Sequence, residues 1–149
     1  MFDFTNDTAQ DGWTRSLVQG SVVSFRFPLD RPESPDQKPK RRPCLIGRVV
    51  RTAEGAYAEV IHGSSVMTAR NRDFHVTVSD PDGLAATHLS KPTRFELART
   101  LLVALDDDRF VISTRTGSAI PGALDPAGLE RLRRQRGRWL ADQKRMTAA

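Results

Sequence analysis

The segment "PLDRPESPDQKPKRRP", residues 28–43, holds five prolines in 16 residues. Proline fixes φ and donates no backbone hydrogen bond, so this stretch can be neither a helix nor a central strand. It must be a long exposed loop, and any fold has to build its regular elements on either side of it. Loops of this length in a compact domain are functional or disordered. The segment ends in a cluster of cations, Lys38, Lys40, Arg41 and Arg42, before Pro43 and the apolar run "CLIGRVV". Those four cations read as a nucleic-acid patch, as solvated charge at a loop end, or as the setting of one essential arginine.

Before the loop, "GSVVSFRFPL" alternates, with Val23, Phe25 and Phe27 on one side and Val22, Ser24 and Arg26 on the other. That is a strand pattern. After it, "CLIGRVVR" is an apolar, β-branched strand, "TAEGA" a turn, and "YAEVIHG" a third strand pairing back on the second. "FHVTVS" alternates as a fourth strand and "DPDG" reads as a turn. "TRFELARTLLVAL" fits strand or short helix; strands broken near Arg99 are preferred. "RFVIS", Arg109 to Ser113, is a further short strand. The clearest helix follows Asp125, an N-cap, with Pro126 at the first helical position. Leu129, Leu132, Arg136, Trp139 and Leu140 then recur at helical spacing. Residues 1–19 lack periodicity and form an arm, with Trp13 and Leu17 placed to dock on the body. About six short strands closed by a C-terminal helix predict a mainly β single domain, 20–149, folded as a partly open barrel.

With 149 residues the chain can bury a core without staples. At 38% apolar and 28% charged it is composed like a folded protein rather than a disordered one. The lone cysteine, Cys44, excludes an internal disulfide and a thiolate metal cluster, and suits a reducing compartment. No metal-type Cys/His spacing occurs, no apolar run approaches the roughly 20 residues that span a bilayer, and the acidic N-terminus is unlike a secretory signal. The net charge of +5 looks like a nucleic-acid signature until it is located. Residues 129–149 hold seven Lys/Arg against two Asp/Glu, and the other 128 residues hold 16 of each. The excess belongs to the tail, so pI alone does not argue for RNA binding.

A glycine opening an apolar strand ("GSVVSFRFP"), a polar loop and an Arg-Pro pair opening the next strand ("RRPCLIGRVV") together resemble the MazF/PemK family. The order continues with a strand ending in hydroxyl residues ("AEVIHGSS"), a Gly-Leu turn ("DPDGL", Gly83 and Leu84) and a last helix after "GALDP". The likeness runs from about Gly20 to Leu140. It implies an SH3-like barrel, a dimer, and the toxin of a bacterial toxin–antitoxin pair, held in check by an antitoxin in the cytoplasm. It further implies an endoribonuclease that cuts single-stranded RNA by 2′-hydroxyl attack with neither metal nor cofactor. Two features depart from the family: the loop before Arg42 is longer and richer in proline, and "IHGSS" stands where a proline and threonines are common.

Carried over on those motifs, Arg42 is the catalytic arginine and Ser64 or Ser65 the hydroxyl. A guanidinium offers several fixed donors matched to phosphate oxygens, but it is a poor proton acceptor or donor. His62, whose ordinary pKa suits proton transfer, is a candidate shuttle, although alternation sets it beside Val60 as a barrel histidine. The serines also read as turn residues after Gly63. Lys38, Lys40, Arg41, Arg70 and Arg72 are candidate RNA contacts or solvated charges. His75 and His88 have no partner visible in the sequence. The stripe of Leu129, Leu132, Trp139 and Leu140 is core or dimer contact, and Arg131, Arg133, Arg134 and Arg138 its solvated face. The alternative functions are a non-catalytic binding module of the same fold and an interaction domain assembling through the Trp139 helix.

Overall fold

The computed structural model describes residues 12–28, 39–66 and 74–148. Its elements are β1 (Ser21–Phe25), β2 (Arg42–Thr52), β3 (Gly55–Ser64), β4 (His75–Val78), α1 (Pro81–Thr87), β5 (Thr93–Ala104), β6 (Gly122–Ala123) and α2 (Pro126–Ala148). The strands form one curled antiparallel half-barrel in the order β4-β5-β3-β2-β1-β6. The chain is thus mainly β with a C-terminal helix.

Both faces of the sheet are apolar at alternate positions, so both are covered. On the front, Val23, Phe25 and Phe27 pack with Cys44, Ile46, Val60, Val103 and Phe110, and Trp13 and Leu17 close over them. Trp13 and Leu17 therefore dock on the body as the sequence anticipates, on either side of a 3₁₀ turn at Thr14–Ser16, and residues 1–11 lie outside the described residues. On the back, Val22, Leu45, Ile61, Val76, Phe95 and Leu97 meet Leu132 of α2, flanked by Leu129 and Trp139. Asp125 starts that helix by accepting from Gly128 N–H at 2.8 Å. Arg136, in the same stripe, is not core: it forks onto Glu59 of β3 at 2.9 and 2.7 Å. Leu140 is turned partly outward.

Three sequence expectations change. "DPDG" opens α1 rather than a turn, because Asp80 caps Gly83 N–H at 2.9 Å and Pro81 fits the first helical position; His88 ends it in the left-handed region. Arg109–Ser113 makes only a single bridge, Phe25↔Phe110, with hydrogen bonds to Ser24 and Arg26. Asp107 and Ser113 tie its ends into turns, and Ile112 is exposed, so the sixth strand is instead Gly122–Ala123. β5 is one strand, yet its pairing is interrupted near Arg99: Ile61 faces Thr100, but Gly63 faces Phe95. Three extra residues on β5 reverse its alternation, so Phe95 and Leu97 point back whereas Leu101 and Val103 point front. A smaller bulge at Gly47 does the same to β2.

Among the described residues no helix is long and apolar enough to cross a membrane.

Candidate functional site

Strand register gathers the polar residues at one end of the front face. Phe25 opposes Arg42, Cys44 opposes His62, Ser64 opposes Arg94, and Arg94 also opposes Thr77. The β2–β3 pairing ends at Cys44 and His62; Arg42 lies two residues before Cys44 and Ser64 two residues after His62, so the same register carried on sets them abreast. Arg42, Ser64, Arg94 and Thr77 thus form one row across four strands about 4.8 Å apart. Behind it lies a second row, Cys44 and His62 and, past the β5 irregularity, Glu96 opposite His75. The neighbours that alternate with Arg94 and Glu96 are Phe95 and Leu97, both fully buried in the back core. That alternation commits the two charged residues to the front.

Arg42, near the end of the proline-rich segment, begins β2 and pairs with Phe25 of β1, which anchors its backbone. Its Nε is buried and has no hydrogen-bond partner among the described residues. A buried guanidinium donor left without an acceptor costs free energy on the order of 1–3 kcal/mol, so this atom is suited to receive an oxyanion. Beside it the Cys44 thiol is pushed up to about 12, by burial first, against the opposing pull of the Gly63 backbone and the Arg42 charge. Cys44 is therefore a neutral apolar filler and no nucleophile.

His62 is 4% exposed, edge-on to Phe27 at 5.0 Å. Its Nδ1 lies 3.4 Å from Nη1 of Arg99, which also stacks on Phe27 at 6.0 Å. Arginine can only donate, so Nδ1 is the accepting nitrogen. Protonating it would set two cations together. His62 is thus a packed barrel histidine that fixes Arg99 and Phe27. On the opposite face Gly63 lets the strands close, since a Cβ there would stand 2.6 Å from the Phe95 ring and 2.9 Å from the Pro43 carbonyl.

Ser64 occupies the row, and its hydroxyl oxygen accepts from Val66 N–H at 3.1 Å, leaving the hydroxyl hydrogen as a donor. Ser65 is exposed beyond the strand end. Lys40 and Arg41 are exposed just ahead of β2, solvated charges flanking the row. Lys38, Arg70 and Arg72 lie outside the described residues. Among the described residues no three His, Cys, Asp or Glu side chains converge as a metal site.

Arg94, Glu96 and Arg99 did not stand out in the sequence. The signal was present in "TRFEL", where two charges alternate with two core residues. Glu96 is 6% exposed and shares its face of β5 with Arg94. At the opposite end of the same strands lies a groove of about 1030 Å³ floored by Trp13, Leu105 and Phe110. Its lining carries Glu54, Asp106, Asp107 and Asp108 against Arg15 and Arg51, so acidic side chains outnumber basic ones there.

No family model matches the chain, and no curated protein matches it.

Proposed function

We propose that this chain is a MazF/PemK-type endoribonuclease, cutting single-stranded RNA by attack of a 2′-hydroxyl on the adjacent phosphate. The observation that carries the reading is the buried, unpartnered Nε of Arg42 in one row with Ser64 and Arg94, next to Glu96. The reaction needs charge stabilisation on a pentacoordinate phosphorus and a proton acceptor for the 2′-hydroxyl. Arg42 and Arg94, two strands apart, grip the phosphate oxygens from either side of Ser64. Glu96 accepts the 2′-proton, a role that no arginine can fill. Ser64 donates its hydroxyl hydrogen to a phosphate oxygen. In this reading the half-barrel is SH3-like, the molecule is a cytoplasmic homodimer, and an antitoxin covers the cationic end of the sheet.

The test is cleavage of a mixed-sequence single-stranded RNA in chelator. Arg42→Ala should lose about 10²–10³ in rate, the usual cost of one preorganised donor, while unfolding at the wild-type urea midpoint. Growth arrest on expression should vanish with it. A pure wild-type protein that neither cuts RNA nor arrests growth refutes the proposal.

The engaged oxygen of Ser64 favours one second reading, a binding module of the same fold without turnover. That protein would retain salt-dependent RNA binding, lost with Arg42 and Arg94, and leave the strand intact.

A further inference from the structure

His75 begins β4 directly opposite Glu96 on β5. Its strand neighbours Val76 and Val78 are buried in the back core, so alternation turns His75 and Thr77 to the front with Arg94 and Glu96. Cβ atoms of directly opposed residues are about 4.5–5.5 Å apart. The His75 ring therefore borders the same space as the Glu96 carboxylate. Its Nδ1 is buried and, among the described residues, has no hydrogen-bond partner, as is also true of Arg42 Nε in the same patch. Buried polar atoms are almost always satisfied, so one left open at a cationic face points to a group supplied from outside. The charged groups near His75 are Glu96 and Arg94 on β5 and, across Phe74 from α2, Arg138, Asp142 and Arg145.

Resting on the reading of this face as an RNA-cleaving site, we propose that His75 is the general acid that protonates the departing 5′-oxygen. The arginines hold their protons too firmly to do so. His62 is committed to Arg99, and His88 caps α1 at another place in the fold. His75 is then the imidazole on this face left to move a proton. The step balances: the 2′-oxygen bonds to phosphorus and its proton passes to Glu96. The P–O5′ bond breaks, and the proton of the His75 imidazolium goes to the leaving oxygen. The products are a 2′,3′-cyclic phosphate and a 5′-hydroxyl, and exchange with water resets both residues.

A substrate whose leaving group needs no proton isolates this role. Once the cut site is mapped, the same RNA is made with a bridging 5′-sulfur there, since a thiolate departs unprotonated. His75→Gln should slow cleavage of ordinary RNA by about 10² or more and leave the sulfur-bridged RNA within a few-fold of wild type. Arg42→Ala should be slow on both. His75→Ala, as a second variant, should regain activity on ordinary RNA in proportion to added imidazole. Thermal midpoints of both variants should match the wild type. Equal slowing on the two RNAs, absence of imidazole rescue, or a His75→Gln rate like wild type on ordinary RNA overturns the assignment while the nuclease reading stands. A wild type that cuts neither RNA overturns both.

Discussion

Replacing Arg136 with methionine keeps the stem that covers the back of the sheet and deletes the fork that grips Glu59. Both nitrogens of that fork are within 2.9 Å of a carboxylate oxygen, and the two side chains are only 14% and 18% exposed. The guanidinium is held above its ordinary pKa, chiefly by its hydrogen bonds to Glu59. Stranding one partner of a fully buried pair costs about 3–5 kcal/mol, and breaking a solvated pair costs about 0.2–1. With roughly one-sixth exposure left, Arg136→Met should lose about 2–3 kcal/mol, a discount for solvent screening. Arg109 is the internal control: it also forks onto an acid, Asp107, but is 38% exposed. Its methionine variant should lose about 1 kcal/mol or less. The double replacement Glu59→Leu with Arg136→Met removes both charges and should recover most of the loss, because an apolar pair of similar volume can stand in for a buried ion pair. The assay is urea unfolding with a constant m-value, at low and high salt. If Arg136→Met costs under about 0.5 kcal/mol, or 1 M salt erases its effect, the pair behaves as a surface bridge and the reasoning fails.

Two more predictions concern the site strands, beside those already given for Arg42 and His75. Cys44 keeps its proton in the folded state to about 12, whereas the unfolded thiol releases it near 9. Stability from this group is therefore full below pH 9 and falls as pH rises from 9 towards 12, by about 1.4 kcal/mol at pH 10. Wild type minus Cys44→Ala, followed by denaturant midpoints, should show that slope, and parallel curves would refute it. Gly63→Ala should cost about 3 kcal/mol, the upper end of overpacking, because one of the atoms its Cβ would meet is the Pro43 backbone carbonyl. A urea midpoint within about 0.5 kcal/mol of wild type would show that the strands can part there.

Much of the fold was legible where one rule governs one segment. The alternation of Val23, Phe25 and Phe27 and the Asp125-Pro126 start of α2 needed no knowledge of neighbours. Asp80-Pro81 carried the same start signal in miniature, but its helix of seven residues is shorter than the window in which periodicity shows. "RFVIS" failed because strand propensity does not create a partner. Arg42 and Ser64 were nominated by the resemblance, Arg42 before Pro43 and Ser64 at the end of its strand. Arg94, Glu96 and His75 were not, because their meeting depends on which strands are neighbours. β4 precedes β5 in the chain, yet β5 pairs on its other side with β3.

The three surplus residues of β5 act as a reading-frame shift written into the strand. Upstream of them even-numbered residues face the site; downstream odd-numbered ones face the front core. Glu96 and Arg99, three apart, can serve the same face only because of that shift. Deleting Ala98 between them would leave two surplus residues and a single frame, with Arg94, Glu96, Leu101 and Val103 still toward the front and Phe95 and Leu97 still toward the back. For this molecule a substitution at the site is a local event, whereas a one-residue deletion inside either regular half of β5, at Phe95 or Leu102, would set neighbouring site or core residues on opposite faces.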